Sequence, residues 1–228
     1  QYAINNSLIE WVTLANVVNA GGDISDEAGN PTINTDAMRS VVEQLKSVAD
    51  AGLMSPYGED GYAMFQSGDV LFSTDGTWTS TAHGSVEGLN FGVTNIYSVT
   101  PDKFTNRSSA HLFSLLNNED RTDEKEQGVA DFLSWMRENS LDWAGAGQIV
   151  ASKEVFESEE YQQYPQSFFT SSDVEKEASY IFDYKYYSYV ESALGTVLSD
   201  MIYGNITIDE GLDQAQKTVE DLIAENAS

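Results

Sequence analysis

Five runs of apolar residues at helical spacing, three of them closed by glycine, set what this 228-residue chain can become. Leu8, Val12, Ala15 and Val18 form the first stripe, and Gly21-Gly22 stop it. Met38, Val41, Val42, Leu45 and Val48 form the second, behind an N-cap at Thr35 and ahead of Gly52. Val129, Phe132, Leu133 and Met136 predict a helix over Glu124–Glu138. Tyr187, Val190, Leu194, Val197 and Met201 predict a long core helix that ends before Gly204. Thr207 and Glu210 then make a capping box for a last helix along Ile208, Leu212, Ala215, Val219 and Leu222.

Strand signals are fewer and shorter. A brief helix around Ala63-Met64-Phe65 stops at Gly68, and Val70–Ser73 reads as a strand buried on both faces. Asn90–Val93 and His111–Leu116 are further strand candidates. Gly145–Val150 reads as a loop running into an extended piece, and Glu154–Tyr161 as a short helix. Many helices with few short strands predict an α/β architecture, a helix-rich lobe around a short mixed sheet.

Composition removes whole function classes. With 37 acidic residues against 11 basic ones, the net charge of −26 repels nucleic acid and anionic membrane alike. No run approaches the ~20 apolar residues needed to span a bilayer. Zero cysteine excludes disulfides and thiolate chemistry, and two histidines, His83 and His111, make an imidazole metal site a poor reading. No metal and no cofactor are expected. The chain opens at Gln1 on a lead into a helix, which reads as a processed chain or an excerpt of a longer one.

Catalytic patterns are weak. Asp69 and Asp75 are the best carboxylate pair for glycoside hydrolysis, yet Asp75-Gly76 is more simply a turn. No G-x-S-x-G occurs. The stretch DISDEAGNPT lacks the spacing of a calcium loop and reads as a solvated acidic turn. Aromatic residues carry more information. Trp78 follows Asp75-Gly76 at an expected strand end, Trp143 precedes the glycine-rich WAGAGQ, and YIFDYKYYSY crowds rings into the start of the long helix. Flat rings with polar neighbours suit the faces of sugars. Trp135, in register with Phe132, reads as core.

The order of these pieces, with GDVLFSTDGTW and the closing YGNITIDEGL as the most specific, resembles the extracellular sugar-binding proteins of ABC importers, the maltose-binding-protein-like family. The resemblance implies a periplasmic-binding-protein type II fold and a non-catalytic receptor, with an extracellular carbohydrate-active enzyme using Asp69 and Asp75 or Glu10 as the alternative. It implies that residues 1–89 and 140–228 form a carboxy-terminal lobe and that 90–139 cross back to an amino-terminal lobe. It places ligand contacts at Trp78 and Asp75, at Glu10 and Trp11 on the first helix, at Gly147 and Gln148, at Tyr186 and Tyr187, and on the return segment at His111. IVASK stands where many relatives have I-P-A-R-K, a departure that implies a different loop shape. Implied partners are a carbohydrate and the permease membrane subunits, for a monomer outside the cell, at its surface or in the periplasm, with a lipid anchor in the whole protein.

Overall fold

The computed structural model describes residues 1–100 and 102–226. Its helices are α1 (Ile9–Asn19), α2 (Asp36–Asp50), α3 (Gly61–Gln66), α4 (Ser80–Gly84), α5 (Asp123–Glu138), α6 (Ser140–Gly145), α7 (Lys153–Phe156), α8 (Asp173–Glu177), α9 (Tyr187–Ile202) and α10 (Ile208–Asn226). The strands are β1 (Tyr2–Ile4), β2 (Val70–Phe72), β3 (Asn106–Arg107) and β4 (Ser179–Tyr180). β1 pairs with β2 and β3 with β4, both in parallel.

Local chemistry accounts for the helix ends. Thr35 Oγ1 accepts from the Met38 amide at 3.2 Å, and Thr122 Oγ1 accepts from the Lys125 amide at 3.4 Å. The Glu210 amide donates to Thr207 Oγ1 at 3.2 Å while Glu210 Oε2 accepts from the Thr207 amide at 3.0 Å, the reciprocal bonds of a capping box. Gly52 takes φ +70° just past α2, a left-handed conformation that a Cβ would oppose.

The chain folds into two compact units. Unit 1 comprises Gln1–Asp75, Asn95–Ser108 and the chain from Glu177 onward. Unit 2 comprises Gly76–Thr94 and Ser109–Lys176. These limits differ from the segment boundaries at 89/90 and 139/140 expected for lobes of a larger receptor.

Unit 1 holds the main core. Val12, Leu14 and Val17 of α1, Met38, Val41, Val42 and Leu45 of α2, Val190, Leu194, Val197, Leu198 and Met201 of α9 and Leu212, Ala215 and Val219 of α10 are buried together. The stripes of α1, α2, α9 and α10 thus face one another, as their 3.6-residue period requires. Two asparagines of α1 reach out of this core. Asn16 accepts from the Val99 amide at 2.7 Å and donates to the Tyr97 carbonyl at 3.1 Å, and Asn19 donates to Ser98 Oγ at 3.1 Å. Side-chain amides therefore satisfy a segment that pairs with no strand among the described residues.

Unit 2 has a small core of Ala144, Val150 and Tyr161, with Val155, Phe156 and Tyr164 packed against it. Here the structure corrects several expectations. The α5 stripe forms at the expected place, but Phe132 and Leu133 are exposed, and Trp135 is 56% exposed instead of core. Asn90–Val93 and His111–Leu116 form no strand, because no segment among the described residues pairs with them. In unit 1, β2 is not buried on both faces. Val70 is buried, whereas Leu71 and Phe72 are 59% and 60% exposed, since the one sheet partner of β2 is the short β1.

Candidate functional site

The expected contact residues separate into a set on each unit. Unit 1 holds Glu10, Trp11, Asp75, Tyr186 and Tyr187; unit 2 holds Trp78, His111, Gly147 and Gln148.

β2 ends at Phe72, so Trp78, in unit 2, does not stand at a strand end. It lies in a 3-10 turn, Thr77–Thr79, that leads into α4. Its indole is 49% exposed, which removes it from the core. The outer edge of its six-membered ring lies so near Gly76 that any Cβ there would collide with it. Gly147, at φ +88°, presses on the same turn: a Cβ there would meet the Thr77 carbonyl, and Ser80 Oγ and Trp78 Cα at 2.9 Å. Only glycine combines that backbone conformation with that proximity. The WAGAGQ loop is held from two further sides. Thr81 Oγ1 donates to the Gly145 carbonyl at 2.9 Å, and the buried Gln166 donates through Nε2 to the Ala144 carbonyl at 2.7 Å and more weakly to that of Gln148 at 3.4 Å. His111 is exposed and meets Trp143 edge to face, with centroids 6.0 Å apart.

In unit 1, Glu10 and Trp11 occupy the first turn of α1, and Tyr187 the first of α9. Between them stands Arg107 of β3. Its guanidinium carbon lies 4.3 Å from the Trp11 ring centroid and 5.2 Å from that of Tyr187. Arg107 Nε donates to Tyr187 Oη at 2.6 Å, Nη2 donates to Glu191 Oε1 at 2.8 Å, and Tyr187 Oη donates to that same carboxylate oxygen at 2.9 Å. The ring of hydrogen bonds closes on itself. Burial pushes the Tyr187 hydroxyl above its ordinary range. Burial also raises Glu10; its own backbone amide and Arg107 oppose the rise, and the Glu191 carboxylate adds to it. Tyr187 packs on Phe182 with centroids 5.4 Å apart, whereas Tyr186 stacks on Tyr189 at 5.7 Å.

Arg107, Glu191 and Gln166 escape the motif reading. The one available signal for the first is scarcity, since Arg107 is one of only 11 basic residues in a chain with 37 acidic ones. The acidic stretch DISDEAGNPT forms a turn around Asp26, whose carboxylate accepts from the Ala28 and Asn30 amides at 2.9 and 2.8 Å. No helix among the described residues is long and apolar enough to cross a membrane.

Set beside known proteins, the chain matches the family model of bacterial extracellular solute-binding proteins over residues 1–170. No curated protein sequence matches it. Its structural neighbours are of the periplasmic-binding-protein type. They include a maltose/maltodextrin-binding domain from Bdellovibrio bacteriovorus bound to maltotriose, at TM-score 0.75 and 16% identity, covering 98% of this chain and 60% of that one. A cyclic alpha-maltosyl-1,6-maltose binding protein from Arthrobacter globiformis aligns at TM-score 0.70 and 17% identity, again over 98% of this chain and 60% of its own. A sugar transporter from Arthrobacter chlorophenolicus with bound laminaribiose aligns at TM-score 0.75 and 13% identity, over 96% and 59%. The chain therefore shares their fold and spans about 60% of their length.

Proposed function

Because the chain belongs to the bacterial extracellular solute-binding proteins, we propose that it is the ligand-holding part of a non-catalytic receptor that binds an oligosaccharide and hands it to an ABC permease. The observation that carries this reading is Trp78. A half-exposed indole, backed by Gly76 and with its turn pinned by Gly147, is a rigid apolar plate of the kind that stacks on a pyranose face. Beside Trp78 on unit 2, Gln148 and His111 would add hydrogen bonds to hydroxyl groups; on unit 1, Trp11, Glu10, Tyr186, Tyr187 and Asp75 are proposed as ligand contacts in their own right. The ligands named for the neighbours, maltotriose and laminaribiose among them, make short glucans the first candidates.

The lobe assignment belongs to the same proposal: residues 1–89 and 140–228 in a carboxy-terminal lobe, 90–139 in an amino-terminal one. The exposed Leu112, Phe113, Leu115, Leu116, Phe132 and Leu133 support it, because so many neighbouring apolar side chains are what a larger protein would cover. In the whole receptor the lobes close on the sugar, driven by its tighter contacts with the closed state. A monomer lipid-anchored outside the cell completes the picture.

The test uses the full-length protein with a panel of maltose, maltotriose, laminaribiose and ribitol, monitored by thermal shift, calorimetry and product analysis. A shift with no product supports the receptor. Release of cleaved sugar supports the enzyme alternative, and a flat response to every sugar overturns carbohydrate binding.

A further inference from the structure

We propose that Arg107 is a positioning residue that fixes the rings of Trp11 and Tyr187 as one preformed wall for the ligand, a role that rests on the receptor reading above. Its own side chain is only 10% exposed, so it acts mainly through its neighbours. The cluster joins three elements: Trp11 from α1, Arg107 itself from β3, and Tyr187 and Glu191 from α9.

Arg107 can hold them because it is itself held. On either side of it along the chain, the Asn106 amide donates to the Ala178 carbonyl at 2.7 Å and the Ser108 amide to the Tyr180 carbonyl at 2.8 Å. Asn106 is buried, accepts from the Ile96 amide at 2.9 Å and donates to Asn95 Oδ1 at 2.7 Å. α1 is tied to the same stretch by Asn16 and Asn19. The guanidinium is thus a fixed peg. Its planar fork donates to Tyr187 and Glu191 at once while its central carbon lies over the indole, a combination that the point charge of lysine lacks.

Stability gives little reason to keep such a cluster. A buried ion pair contributes little net stability compared with apolar residues of the same size. Orientation is what it supplies: a ring already held in its bound position spares the ligand the cost of ordering it.

The experiment labels the whole chain with 5-fluorotryptophan and reads the four tryptophans by fluorine NMR, with Trp11 assigned from Trp11→Phe. Arg107→Lys keeps the charge but loses the fork. Arg107→Met combined with Glu191→Gln removes the ion pair without leaving a buried carboxylate unpaired. In both variants the Trp11 resonance is expected to move and broaden while those of Trp78, Trp135 and Trp143 stay in place. The affinity for maltotriose or laminaribiose, whichever the parent binds, should fall about tenfold, mainly through faster dissociation. An unchanged Trp11 resonance in the double variant overturns the proposal, and so does a mobilised ring with unchanged affinity. If the parent binds neither sugar, glucan binding is what fails, and the Trp11 resonance alone decides whether Arg107 fixes the ring.

Discussion

The stripe of α9 disappears into a core shared with α1, α2 and α10, whereas that of α5, a helix of the same 16-residue length, leaves Phe132 and Leu133 in the open. Both stripes are read from sequence with equal ease. The difference teaches that amphipathic spacing specifies a face to be covered without specifying its cover. In unit 1 the cover is present within the chain. In unit 2 the apolar face of α5 has no such core to join.

The sharpest way to break this contrast is to truncate one leucine from each stripe. Leu194→Ala opens a void in the unit 1 core and is expected to cost about 2–5 kcal/mol by urea denaturation. Leu133→Ala should cost less than about 1 kcal/mol in the same chain, because its side chain already meets water. Equal losses would mean that α5 is covered in solution.

Gly147→Ala comes next. Forcing a Cβ into left-handed backbone costs about 1–2 kcal/mol before the collision with the Trp78 turn is counted. The loss should appear in unit 2 amides by hydrogen exchange, with unit 1 protection intact. Loosening in both units would show that they unfold together.

A smaller test compares two threonine caps. Thr35→Ala should cost about 1 kcal/mol, since α2 is locked in the core and cannot fray freely. Thr122→Ala removes a longer bond from an exposed helix and should cost a few tenths, roughly at the lower limit for such caps. Native-state exchange of the first-turn amides measures both.

The mildest effect is expected at Glu10. Its carboxyl is raised in the folded chain, chiefly by burial, so the folded state binds that proton more tightly than the unfolded one. The group's favourable contribution is complete below the unfolded carboxylate range and is lost as pH rises through the folded value. Glu10→Gln should therefore melt higher than the parent near neutral pH, and the gain should vanish in acid. A gain that persists in acid would point to packing.

How far the sequence could be read follows the same division. The unit 1 helices and their ends were legible because the signals are local: stripe, cap, glycine. The sheet was less so. The run of Val70 to Ser73 has the composition of a central strand, but whether a strand is central depends on neighbours that lie far off in the chain. Trp135 was misread for the same reason as the α5 stripe, by assuming that an apolar register implies a core. At the candidate site, aromatic residues were visible as types, whereas the bridging roles of Arg107, Glu191 and Gln166 depend on contacts across the fold. Arg107 and Tyr187 are 80 residues apart in sequence, and no spacing rule links them.

The discontinuity of unit 1 has a consequence for how the protein is made. α1 and α2 are made before α9, which begins at Tyr187 and supplies side chains that enclose them. Contacts so distant along the chain close slowly, because the intervening loop must first lose its freedom. A growing chain that has not reached α9 lacks the side chains that cover α1 and α2.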